Sequence, residues 1–135
     1  MVRPVNARNS GGVTAPSESP ADAGARLAAQ YLQLLEDGRT NDAEALLADL
    51  SDARELVFVG AGFTTMARRT GRTLPTAMRA QASTRQVLLG QLRDANRRDV
   101  DGLRSWLRQA AQEAVTVNRL AEAARRRLGE QSATG

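Results

Sequence analysis

The sequence predicts an all-α protein, a bundle of four to five helices. Apolar residues make up 41% of the chain, but they include only two Phe, one Trp and one Tyr, and no Ile. The core must therefore be built from Leu, Ala and Val. Leu and Ala favour helices, whereas strands favour β-branched and aromatic residues. Apolar residues also recur at steps of three and four over residues 103–128, which is a helical period. One short run, residues 56–59, suits a strand, and no second run pairs with it.

The predicted domain organisation has three parts. Residues 1–20 are rich in Gly, Ser, Pro and Asn and have no apolar period, which is typical of a disordered leader. Residues 21–128 form a single helical-bundle domain, because a chain of this length can enclose one modest core. Residues 129–135 are predicted to be a flexible tail, since Gly129 follows Leu128, the last periodic residue.

The first helix has signals at both ends. Ser19 is a candidate N-cap, and Pro20 suits the first helical position. Gly38 suits the left-handed conformation that ends many helices. The expected buried stripe consists of Leu27, Tyr31, Leu34 and Leu35.

The second helix is expected to begin at a capping box formed by Asn41 and Glu44. Its inward positions are predicted to be Ala43, Leu46, Leu47 and Leu50. Asp52 and Glu55 can cap a third helix, although the second helix could also continue through them.

Residues 56–63 could form a buried strand or a buried helix, because periodicity does not separate the two over so few residues. We favour the helix, in which Gly60 and Gly62 let a neighbouring helix approach closely. The same glycines look like the turn of a dinucleotide-binding unit. However, Thr65 occupies the third glycine position, and Arg79 lies near the place of the ribose-binding acid. The sequence therefore predicts helix–helix packing here.

A long C-terminal helical hairpin, about residues 75–98 and 101–128, is the expected spine of the bundle. The apolar positions of its first helix are Met78, Ala82, Leu88, Leu89, Leu92 and Ala95. Gln81 and Arg85 fall on or near the same face and weaken it. The turn is expected at residues 99–102, where Asp99 or Asp101 can cap the last helix.

The last helix carries an apolar seam of alternating three- and four-residue steps. This seam is either the core of a monomeric bundle or an oligomer contact. Because its alanines bury little area per residue, we favour self-association or a partner helix. The candidate interface residues are Leu103, Leu107, Ala110, Ala114, Val117, Ala121, Ala124 and Leu128.

Charge is distributed unevenly along the chain. Residues 21–58 hold three Arg and eight acids, whereas residues 59–135 hold fourteen Arg and six acids. The basic half could pair with the acidic half or bind an acidic partner. A guanidinium group binds phosphate bidentately, so an Arg-studded helical hairpin could follow a nucleic-acid backbone. The candidate nucleic-acid-binding residues are Arg79, Arg93, Arg97, Arg104, Arg108, Arg119 and Arg126.

The residue inventory argues against catalysis. The chain contains no His, Cys or Lys. This excludes thiolate or imidazole metal sites, a cysteine nucleophile and a Schiff-base lysine. Four acids near one helical corner, Glu36, Asp37, Asp42 and Glu44, could hold a divalent cation, but helix ends explain them as well. We expect no enzyme, no metal and no cofactor.

The favoured function is that of a non-catalytic helical subunit or accessory protein in an oligomeric assembly, with nucleic acid as a candidate ligand. The alternative is a pure protein-interaction adaptor, chaperone or structural component. The expected partner is a second copy of the chain or another helical protein. No contact with a membrane is expected. Missing Lys and Ile with abundant Arg and Ala fits a GC-rich bacterial genome. No signal-peptide pattern begins the chain, so a cytoplasmic location is expected.

Overall fold

The structure, a computed structural model, describes residues 18–134 and confirms the all-α prediction. Within these residues there are five α-helices and no strand: α1 Pro20–Glu36, α2 Thr40–Ala48, α3 Ala53–Gly71, α4 Thr76–Ala95 and α5 Val100–Thr134. The predicted hairpin corresponds to α4 and α5. Residues 56–63 are helical, as favoured from the sequence. The predicted leader lies outside the described residues as far as residue 17.

Three helix ends follow the signals predicted for them. The Ser19 hydroxyl accepts a hydrogen bond from the Asp22 amide at 3.1 Å, and Gly38 has the left-handed φ of 76° that ends α1. Asp52 caps α3 through the Arg54 amide at 2.9 Å. The capping box predicted for α2 is wrong. Arg39, and not Asn41, occupies the N-cap position, and it forms no side-chain cap. The Glu44 carboxylate instead accepts hydrogen bonds from Tyr31 of α1 and Arg108 of α5.

Helix α3 lies at the centre of the bundle, with α1 and α5 packed against it. Glycines permit both contacts. A Cβ atom on Gly62 would lie 2.9 Å from the Ala28 Cβ of α1, and one on Gly60 would overlap the Trp106 ring of α5. On the α1 side, a Cβ on Gly24 would overlap the backbone of Phe58. The close helix approach predicted for Gly60 and Gly62 is therefore confirmed.

The core uses few large residues. The largest fully buried side chains are Phe63, Leu47, Leu56, Leu103, Leu107, Val59 and Val117. Tyr31 packs edge-on against Phe63, with ring centroids 5.5 Å apart, which is a favourable aromatic geometry. The predicted stripe of α1 is only partly right. Tyr31 is buried, but Ala28 and Leu32 are its buried companions, because the glycine contact turns this face towards α3.

Helix α5 is longer than predicted. It runs through Gly129 to Thr134, so the prediction that the helix ends near Leu128 and that a tail begins at residue 129 is wrong for residues 129–134. Gly38 is the glycine with positive φ among the described residues, so Gly129 keeps helical backbone angles. A glycine inside a helix costs only about 1 kcal/mol, and Glu130 and Gln131 are good helix formers. Gly129 alone therefore does not stop the helix.

Candidate interaction surface

The seam of α5 is an internal feature for most of its length. Six of its eight residues are at most 2% exposed and pack within the chain: Leu103, Leu107, Ala110, Ala114, Val117 and Ala121. A partner could reach them only if the bundle opened. Ala124 is half-buried and Leu128 is 64% exposed, so only this end of the predicted interface is accessible. The thin alanine seam is explained by the chain's own helices.

The predicted arginine stripe of α5 is divided by internal contacts. Arg104 pairs with Asp101 and also donates to the Leu50 carbonyl at 2.8 Å. Arg108 forms an ion pair with Glu44 of α2 at 2.9 Å, and this hydrogen-bonded contact raises the pKa of Arg108. This contact joins the basic half to the acidic half, which is one of the two alternatives that the charge distribution left open. A nucleic acid would have to compete with these partners.

The remaining predicted arginines fall into two groups. Arg93 and Arg97 of the α4 end share Asp94, and their hydrogen bonds hold the pKa of that carboxyl below its usual range. Arg79 hydrogen-bonds the Thr76 hydroxyl, while Arg119 and Arg126 lie exposed on α5. No ion pair engages any of these last three within residues 18–134. The structure thus does not bring the seven residues together as one continuous cationic surface.

Helix α4 has an outer face that sequence reasoning missed. Only Ala82 of this helix is buried, although the α4 apolar residues were predicted to form part of the core. Val87 and Leu88 are 60% and 58% exposed. The outer face consists of exposed residues, of which only Asp94 near its C-terminal end is charged: Ala77, Ala80, Gln81, Thr84, Val87, Leu88, Gln91, Asp94 and Ala95. They span the length of the helix on one side, and the predicted core positions Leu88 and Ala95 belong to this face.

Two concavities border the outer face. On the α3 side, a cavity of about 410 Å³ is bordered by Arg68, Arg72 and Arg79, and we call it the arginine cavity. On the α5 side, a groove of about 320 Å³ contains Leu88, Leu89 and Leu92, and we call it the leucine groove. The outer face therefore has a cationic edge and an apolar edge.

A polar pair lies beneath α4, between the two concavities. The Arg85 Nε donates to the Glu113 Oε1 of α5 at 2.7 Å, and Glu113 is only 7% exposed. Arg85 occupies an inward position between Ala82 and Leu89, where an apolar residue is expected. The second Glu113 oxygen and the Arg85 Nη2 are buried without a hydrogen-bond partner in the described structure.

The carboxylates considered for a metal site are used in other ways. Asp37 accepts from Gln33, Asp42 pairs with Arg39, and Glu44 binds Tyr31 and Arg108. In the described part of the chain, no group of three or more acids or other metal-ligating residues is close enough to hold an ion. The glycines of the dinucleotide-like motif are inside a helix and contact neighbouring helices, so no phosphate-binding turn exists there.

No protein-family model, curated protein or solved structure matches this chain. Among the described helices, none is long and apolar enough to cross a lipid bilayer. A function for this chain can therefore be inferred only from its own sequence and geometry.

Proposed function

We propose that this protein is a non-catalytic helical subunit that binds another protein through the outer face of α4. The observation that supports this most directly is the absence of charge from that face between Ala77 and Gln91, in a protein in which 25% of residues are charged. Charged residues are depleted from the cores of protein interfaces, whereas a solvated helix face normally carries them. Val87 and Leu88 would supply apolar anchors near the middle of the contact.

The contrast with α5 supports the same proposal. The outer side of α5 carries the charged residues Arg108, Arg119, Glu122 and Arg126, as expected for a helix face that meets water. The outer side of α4 is also exposed in the isolated chain. However, Arg85, which faces inward, is the only charged residue between positions 80 and 92. The difference is accounted for if a partner covers α4. A bacterial source and a cytoplasmic location stay part of this proposal.

The test is the size of the native assembly in extracts of the organism that produces the protein. We expect the unmodified chain to sediment in a complex well above its 14.5 kDa mass. Val87→Glu with Leu88→Glu should return it to monomer mass, because two carboxylates cannot be buried against apolar partner atoms. Ala29→Glu, at an exposed position of α1, is the matched control and should leave the complex intact. A monomer in the unmodified extract would contradict the proposal.

Nucleic-acid binding is the second candidate function, supported by the end of α5. Arg119, Arg125, Arg126 and Arg127 are exposed and form no ion pair within the described residues. The affinity of a contact with phosphates would fall steeply as the salt concentration rises, because roughly one counterion is released for each phosphate that an arginine neutralises. Titration of duplex DNA and single-stranded RNA at low salt tests this. Binding that survives Arg119→Glu with Arg126→Glu, or that is absent altogether, would exclude it.

A further inference from the structure

The outer face of α4 has different chemistry along its two edges. The edge next to α3 carries three guanidinium groups, on Arg68, Arg72 and Arg79, and all three residues are exposed. None of them pairs with a carboxylate within residues 18–134. The opposite edge is formed by the leucine groove, whose α5 wall contributes Gln109, Gln112 and Thr116. One edge is thus cationic and the other is neutral.

The acids near this face are already engaged. Glu113 is the carboxylate among the residues lining the arginine cavity, and it is bound to Arg85. Asp94, at the C-terminal end of α4, is shared by Arg93 and Arg97. Within residues 18–134, no carboxylate forms an ion pair with any of the three guanidinium groups. A partner that supplied carboxylates at this edge would satisfy them, with charge-assisted hydrogen bonds of useful geometry.

We propose that the occupant of the outer face is an amphipathic helix of a different protein, with Asp or Glu residues along one edge only. This rests on the proposed function and specifies the partner. Its apolar stripe would lie against Val87 and Leu88 and reach into the leucine groove. Its acidic edge would face Arg68, Arg72 and Arg79. Recognition of a helix through anchors three and four residues apart is a common mode of binding.

A second copy of this chain fits less well. A two-fold axis that pairs α4 antiparallel brings each edge against the same edge, so that arginines would face arginines. A parallel pairing would set the cationic edge against Gln109 and Gln112, which carry no charge. Nucleic acid would supply anions to the arginines but would leave Val87 and Leu88 against phosphate or water. A one-sided acidic helix satisfies both the apolar and the cationic part of the surface.

Photo-crosslinking in the producing organism tests the inference. A benzophenone amino acid replaces Leu88 in the full-length chain, and the crosslinked peptide is sequenced by mass spectrometry. A matched probe replaces the exposed Ala29 of α1. We expect the Leu88 probe to capture a segment with apolar residues at helical spacing and acids on one edge. Arg72→Glu with Arg79→Glu should lower the yield about fivefold or more, as for the loss of two exposed ion pairs. Arg125→Glu with Arg126→Glu, an equal charge change elsewhere, should not.

The outcomes separate the two proposals. If position 88 captures no more protein than position 29, the proposed function itself fails. If position 88 captures a peptide of this same chain, a neutral or basic segment, or nucleic acid, only the inference about the partner is overturned. The same holds if the yield is unchanged in the Arg72→Glu and Arg79→Glu variant while its helical circular dichroism and Trp106 fluorescence stay native.

Discussion

Arg85 of α4 and Glu113 of α5 meet at 2.7 Å and form the ion pair that joins these two helices in the described part of the chain. Their burial is unequal, because the Arg85 side chain is 36% exposed and that of Glu113 only 7%. The pair interrupts an apolar contact that continues on either side, through Ala82 and Leu89.

The unequal burial predicts unequal effects of removing either partner. Arg85→Met should destabilise the protein by about 3 kcal/mol, because it leaves a buried carboxylate without a counter-charge. Glu113→Gln should cost below about 1 kcal/mol, since the partly exposed Arg85 can turn towards solvent. Urea denaturation followed by circular dichroism measures both. The double variant Arg85→Met with Glu113→Leu should recover most of the loss, because apolar pairs often replace buried ion pairs without cost. Equal losses in the two single variants would contradict the argument.

Gly60 makes room for the one Trp of the chain, and this gives a steric prediction. A Cβ atom at Gly60 would overlap the Trp106 ring, which is 2% exposed and cannot move into solvent. Gly60→Ala should therefore destabilise the fold by about 2 kcal/mol or more, as overpacking does. Trp106 fluorescence should also shift, because its ring must leave its native position.

Gly90 provides the matched control for Gly60. It also lies inside a helix, but a Cβ atom there would meet only the flexible end of Arg93 at 3.8 Å. Gly90→Ala should stabilise the protein by about 0.5–1 kcal/mol, because alanine loses less backbone entropy than glycine in a helix. If Gly60→Ala and Gly90→Ala changed the free energy of unfolding in the same direction, the steric argument for Gly60 would be wrong.

The elements that sequence reasoning identified were those with local signals. Helix ends are marked by Ser19, Gly38 and Asp52, which contact residues only two or three positions away. A close helix contact is indicated by Gly60 and Gly62, because they lie in a run of residues too apolar to face water. Such signals depend on neighbours along the chain. A bundle of four to five helices could therefore be anticipated. The central place of α3 could not, since the hairpin of residues 75–128 was the expected spine.

The exposed outer face of α4 could not be anticipated in the same way. Periodicity identified Leu88 and Leu89 together as core, but only one side of α4 can face α5. The contact between α4 and α5 includes Glu113, which lies 28 residues from its partner Arg85. Arg85 in an apolar stripe was visible in the sequence, and so was the lack of any other charge over residues 80–92. Together they could have indicated that α4 has two dissimilar faces.

Tyr31 is predicted to titrate abnormally. Its burial, followed by the nearby Glu44 carboxylate, raises the pKa of this phenol above its ordinary value of 10.0. In the unfolded chain the phenol loses its proton first, so above about pH 10 the folded state binds more protons than the unfolded state. Stability should therefore be unaffected below this pH and fall as the pH rises beyond it.

Tyr31 is the one Tyr of the chain, so tyrosinate absorbance reports on it directly. The native protein should show a higher titration midpoint than the same protein in denaturant. Glu44→Gln should lower the native midpoint, because it removes the negative charge that opposes ionisation. Identical midpoints in the native and denatured protein would show that the phenol is not held in this environment.

Helix α4 should be the least protected helix of the described bundle. It buries a single residue, Ala82, whereas α3 buries seven, including Leu56, Val59 and Phe63. Local opening costs less free energy where few apolar contacts must be broken. In hydrogen–deuterium exchange, amides of residues 80–94 should exchange well before those of residues 56–67.

The difference in exchange rate between α4 and α3 should become smaller when a partner covers α4, since binding adds the burial that this helix lacks. Arg85→Met with Glu113→Leu should also slow exchange in α4 without a partner, by closing the contact with α5. If the amides of α4 exchanged as slowly as those of α3 in the isolated chain, α4 would already be fully packed. That result would contradict the proposal that a partner covers its outer face.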